Sequence, residues 1–169
     1  MNIITVINVL PLTVFMLTAR WGGWTDLAWR DAFIFGGLCT IFVIAVYVYK
    51  RATFDRLMLG VNLFLLVGAL LFLSNAFSLL YYYGAYKGVV FLSGIAVVGV
   101  ITTFFSEAGF IGVEGRNKIA IRKASLQLLL FTIFGIIWSF VMNNYGLIIT
   151  AVVPFIMLRI VREKLSKQL

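Results

Sequence analysis

The sequence predicts an all-α, polytopic transmembrane helical bundle, and three observations carry that prediction. Of its 169 residues, 63% are hydrophobic and 12% charged, against about half and about a quarter in a soluble domain. Mean hydropathy is +1.07. Apolar runs long enough for the ~30 Å core of a bilayer recur along the chain, with most Lys and Arg in the short connections between them. Six spans of about 20 residues use roughly 120 positions and leave roughly 49, too few for a second folded domain. Residues 1–169 are therefore expected to form one transmembrane domain. A soluble enzyme, a secreted disulfide scaffold and a disordered tail are excluded.

The expected spans cover 3–19, 32–49, 57–80, 88–106, 124–142 and 147–161. The first is short and interrupted by Asn8 and Pro11, and five spans remain if it does not cross. It lacks the basic start and small-residue cleavage pattern of a removable signal peptide. Trp21, Trp24 and Trp29 around Gly22-Gly23 suit an interfacial aromatic belt, or an outer lid or partner surface. The second span opens after Asp31 and closes at Lys50-Arg51, and the third runs into the interfacial cluster Tyr81-Tyr82-Tyr83. Asn143-Asn144-Tyr145-Gly146 reads as a tight turn, because Asn and Gly tolerate left-handed backbone. Pro154 sits in the short last span. Gly36, Gly37 and Thr40, Gly60, Gly68 and Ala69, and Gly94, Ala96 and Gly99 mark seams where helices approach closely.

The net charge is +8. Eleven of the fourteen basic residues fall in the connection after span two, the connection after span four and the tail; Arg20, Arg30 and Lys87 fall on the other side. The positive-inside rule then places those three segments and the C-terminus in the cytoplasm, with the N-terminus beside them if six spans cross. Arg116, Lys118, Arg122, Lys123, Arg159, Arg162 and Lys164 form the strongest electrostatic feature, either as orientation signal alone or as contacts to anionic lipid headgroups. Nucleic acid is not an expected partner. Cys39 is the only cysteine and reads as a small packing residue, and there is no histidine.

Polar groups inside apolar runs are the remaining candidates. Glu107 is read as a proton or cation site with a burial-raised pKa, or as an interfacial acid paired with Arg116, Lys118 or Arg122. Ser74 and Ser78, four apart with Asn75 beside them, would share one helix and either bond a neighbouring helix or line a solute path. Asp31 and Lys87 are a candidate outer clip between two spans. Gly109-x-x-Gly112-x-x-Gly115 lacks the spacing of a phosphate loop and reads as a flexible helix exit. No nucleophile–base pair, metal-ligand set or cofactor motif is present, so the chain is not expected to be an enzyme.

The order of features resembles the bacterial intracellular septation protein A family. The similarity rests on Leu10-Pro11-Leu12, the basic turn Lys50-Arg51, Tyr86-Lys87-Gly88 where the family more often has Trp-Lys-Pro, and Arg122-Lys123 before a long apolar helix. The resemblance implies an inner-membrane protein linked to envelope synthesis or division, with no catalytic residues to transfer. The leading expectation is a non-enzymatic inner-membrane protein that supports envelope or septum assembly through protein and lipid contacts. The alternatives are a small ion- or proton-coupled transporter or channel, and an immunity protein against a membrane-active toxin.

Overall fold

The computed structural model describes residues 3–115 and 117–169, leaving aside the side chains of 3–6 and of Phe77. The chain is 83% helical, with no strand among the described residues. Among the described residues seven α-helices follow in order: α1 (Ile3–Trp21), α2 (Asp26–Lys50), α3 (Arg56–Leu73), α4 (Phe77–Ala85), α5 (Lys87–Phe105), α6 (Lys118–Val141) and α7 (Val153–Ser166). Four of them, α2, α3, α5 and α6, are long and apolar enough to cross a membrane. The chain divides into two compact units, one of residues 1–54 and 61–85, the other of 55–60 and 86–169, with the boundary falling inside α3.

In the first unit, α1 and α2 form a helical hairpin. Gly23 takes a left-handed φ of 69°, and the Trp24 N–H returns to the Ala19 carbonyl to close α1. Thr25 then caps α2, its hydroxyl accepting from the Ala28 N–H at 3.3 Å. A Cβ on Gly22 would lie 2.3 Å from the Ala28 Cβ, so only glycine lets the two helices meet this closely. Phe33 is the hub of the core. Its ring lies 4.9 Å from Phe15, 5.3 Å from Phe64 and 5.9 Å from Tyr83. Two of the expected small-residue groups come together where α2 meets α3: a Cβ on Gly68 would touch the Phe33 ring at 2.3 Å, and one on Gly37 would come within 2.7 Å of Ala69.

In each of two aromatic clusters one ring packs inward. Trp21 is exposed, but Trp29 packs on Phe15 at 5.6 Å. Tyr81 and Tyr82 are exposed, whereas Tyr83 turns inward, stacks on Phe64 and donates its hydroxyl to the Phe64 carbonyl at 3.1 Å.

The apolar run 57–80 is not one helix. Asn75 adopts φ 52°, and the N–H groups of Asn75 and Ala76 return to the carbonyls of Phe72 and Leu71, a complete left-handed helix stop. In the second unit, α6 starts at Lys118, capped by Asn117, so Lys118, Arg122 and Lys123 lie on the helix rather than before it. The last expected span, 147–161, holds a π-helical turn, Ile148–Val152, ahead of α7. Pro154 has no N–H to extend an α ladder backwards, and the turn before it widens instead.

Candidate functional site

The connection between α5 and α6 is a built loop. Gly109 and Gly112 have φ values of 58° and 74°, and the N–H groups of Gly109, Gly112 and Val113 bond back to Ser106 and Ala108. This folding drives Phe110 and Ile111 to full burial. A side chain on Gly109 would strike Ser125 Oγ at 2.3 Å. Ser125, fully buried on α6, accepts from the Ile111 N–H at 3.2 Å. The expected flexible exit is thus a packed loop whose glycines are needed for their backbone angles.

Around this loop the second unit gathers Asp55 and three arginines, of which Arg56 and Arg162 are half-buried and Arg159 is exposed. Arg162 on α7 donates from Nε to the Ile111 carbonyl at 3.0 Å and pairs with Asp55 at 2.8 Å. Arg159, one turn earlier, reaches the same carboxylate oxygen at 3.7 Å. Asp55 Oδ1 meanwhile accepts from the Leu57 and Met58 N–H groups and caps α3. Arg56 donates to Ser106 Oγ at 3.2 Å. Gly112 lies between the two arginines: a Cβ there would be 3.4 Å from Arg162 Nη2 and 3.6 Å from Arg56 Cγ. Three guanidiniums against one carboxylate give this group of four side chains a charge of +2.

Beside it opens a cleft of about 220 Å³, with Thr103, Ser106, Glu107, Lys118 and Arg122 on its walls. Arg122 lies over the Phe104 ring, 5.2 Å from its centroid. Lys123 and Lys164 are exposed. Of the basic candidates, Arg159 and Arg162 are brought to one carboxylate, Lys118 and Arg122 to one cleft, and Arg116 lies outside the described residues.

Glu107 is exposed on the loop and pairs with Lys118 at 2.6 Å. The Lys118 ammonium, hydrogen-bonded to it, holds its carboxyl below the usual range, the reverse of the burial-driven rise expected for an intramembrane acid. Its favourable contribution is therefore present above the unfolded-chain carboxylate value and disappears as pH falls through the lower folded one. Carboxyl-carbon NMR should place the Glu107 midpoint below that of the unfolded chain. In Lys118→Ala the midpoint should rise, and an unmoved midpoint would count against the pair.

Ser74 and Asn75 lie in the turn after α3 and Ser78 lies in the first turn of α4, all three exposed. Because two helices share them, the four-residue spacing does not place them on one face. Asp31 pairs with its neighbour Arg30 at 2.9 Å, and Lys87 opens α5. Asp55 and Arg56 were not singled out by the sequence reading. The available signal was an Asp directly before an apolar run, the mark of a helix cap. No family model, curated protein or solved structure matches this chain.

Proposed function

We propose that this chain is a multi-pass protein of the bacterial cytoplasmic membrane that binds anionic lipid headgroups and supports envelope or septum assembly without catalysis. One observation supports the lipid reading above the others: the +2 arginine group at Asp55 stands beside a cleft walled by Lys118 and Arg122. Guanidinium groups match phosphate oxygens in geometry and charge, and each basic residue near an anionic leaflet contributes about 1 kcal/mol. The positive-inside count supports a cytoplasmic C-terminus, and six spans are reached by adding α1 and the π-turn–α7 segment to the four long helices. The envelope role rests on the septation-family resemblance and includes a protein partner at the membrane.

The test is extraction into native lipid nanodiscs and mass spectrometry of the lipids and proteins that travel with the chain. Anionic phospholipid should be enriched over the bulk membrane, and a stoichiometric envelope or division protein should be present. The triple variant Arg122→Gln/Lys123→Gln/Lys164→Gln should lose the lipid enrichment, since these exposed side chains carry charge without holding the Asp55 group together. A solitary chain in lipid of bulk composition overturns the reading.

A further inference from the structure

Asn8, Thr40 and Asn62 are 6%, 0% and 1% exposed. Asn8 Oδ1, Thr40 Oγ1 and both amide atoms of Asn62 have no hydrogen-bond partner in the protein. Buried amides and hydroxyls almost always have one, because taking them out of water uncompensated is costly. Asn8 lies on α1, Thr40 on α2 and Asn62 on the part of α3 that belongs to the first unit.

Helix register brings the three to one level. A Cβ on Gly36 would lie 3.5 Å from the Pro11 carbonyl and 3.6 Å from Leu65 Cδ1, which sets those residues side by side. Asn8 is one turn before Pro11, Thr40 one turn after Gly36, and Asn62 one turn before Leu65. The α1–α2 pair is an antiparallel hairpin. The α2–α3 pair is antiparallel as well, since Phe33 meets Gly68 while Gly36 meets Leu65. All three steps therefore run in the same direction along the bundle. Pro11 has no N–H, so the Ile7 carbonyl, next to Asn8, loses its helical donor and adds an acceptor.

We propose that Asn8, Thr40 and Asn62 hold an internal water site that bridges α1, α2 and α3. The mixture of groups selects water: Asn8 Oδ1 accepts, Asn62 Nδ2 donates and the Thr40 hydroxyl does both. A cation would satisfy the oxygens and oppose the Asn62 amide hydrogens. Water serves both kinds of group, and two to four polar partners are what a buried water needs.

The test uses the full chain in lipid nanodiscs with X-ray radiolysis, which oxidises side chains next to bound water even where bulk solvent does not reach. Leu65, at 0% exposure and one turn from Asn62, should be labelled in the wild type and lose most of that labelling in Asn62→Leu. Thr40→Val, of nearly the same shape, keeps the test open where Asn62→Leu fails to fold. It should lower the thermal midpoint by about 2–4 °C, and Thr40→Ser should restore it. Absent labelling, or a midpoint that rises in Thr40→Val, means a dry site and overturns the proposal. A wild-type midpoint that rises in sodium relative to choline means a cation site, and overturns it too.

Discussion

Gly60→Ala should be among the most damaging single-methyl changes in the chain. The added Cβ would lie 2.4 Å from the Ile95 Cα and 2.9 Å from its backbone nitrogen. No rotamer change relieves a collision with backbone, so α3 and α5 must part where Leu57, Met58 and Ile95 are at most 1% exposed. Overpacking of this kind costs about 1–3 kcal/mol and sometimes more, and backbone contact puts Gly60→Ala at about 3 kcal/mol. Thermal unfolding of purified protein measures it. Gly84→Ala is the control: it lies within α4 with nothing inside 4 Å of its Cβ, and should gain about 0.5–1 kcal/mol from helix propensity. Equal midpoints for the two variants would mean that the α3–α5 seam is not tight.

Asp55→Ala should be nearly as severe, for an electrostatic reason. The change removes the cap from the Leu57 and Met58 N–H groups and leaves Arg159 and Arg162 without their carboxylate. The cap alone is worth about 1 kcal/mol. Breaking a fully buried pair costs about 3–5 kcal/mol, and the partial exposure of Asp55 and Arg162, 18% and 23%, scales that down. Together the loss should be about 2–3 kcal/mol. Asp55→Asn keeps a good capping group and loses only the charge, so it should fall between wild type and Asp55→Ala. In a double-mutant cycle, Arg162→Met should cost less in the Asp55→Ala background than in the wild type; additive losses would mean that the 2.8 Å pair carries no coupling.

The long helices were legible because hydropathy and length encode them directly. Helices α2, α5 and α6 follow uninterrupted apolar runs bounded by charge. What hydropathy does not encode is backbone angle. Leu73, Ala76 and Leu79 read as a continuation of α3, and the helix stop rests on one residue, Asn75, at φ 52°. The small-residue seams were readable as a class, but their partners were not. Gly68 pairs with an aromatic ring, Gly60 with a backbone and Gly99 with Phe110, whose nearest ring atom would lie 2.9 Å from a Cβ there. The charged site was half readable. Arg159 and Arg162 stand out on a basic tail, yet their counter-ion lies far away in sequence, at a position the sequence marks only as a helix start. Glu107 drew attention because apolar residues follow it. Those residues, Phe110 and Ile111, fold inward while Glu107 stays outside.

The packed loop also imposes an order on biosynthesis. A chain made from its N-terminus delivers Ile111 well before α7 exists, and the Ile111 carbonyl must wait for Arg162, 51 residues later. Until Ser125 and then Arg162 emerge, two large apolar side chains and their backbone polar groups lack their final surroundings. The second unit can lock only after Arg162 has been made. A nascent chain stopped before Arg159 would keep its long apolar helices, and with them membrane insertion, but not the latch. Closure of the Ile111 loop thus depends on the one turn of α7 that carries Arg159 and Arg162.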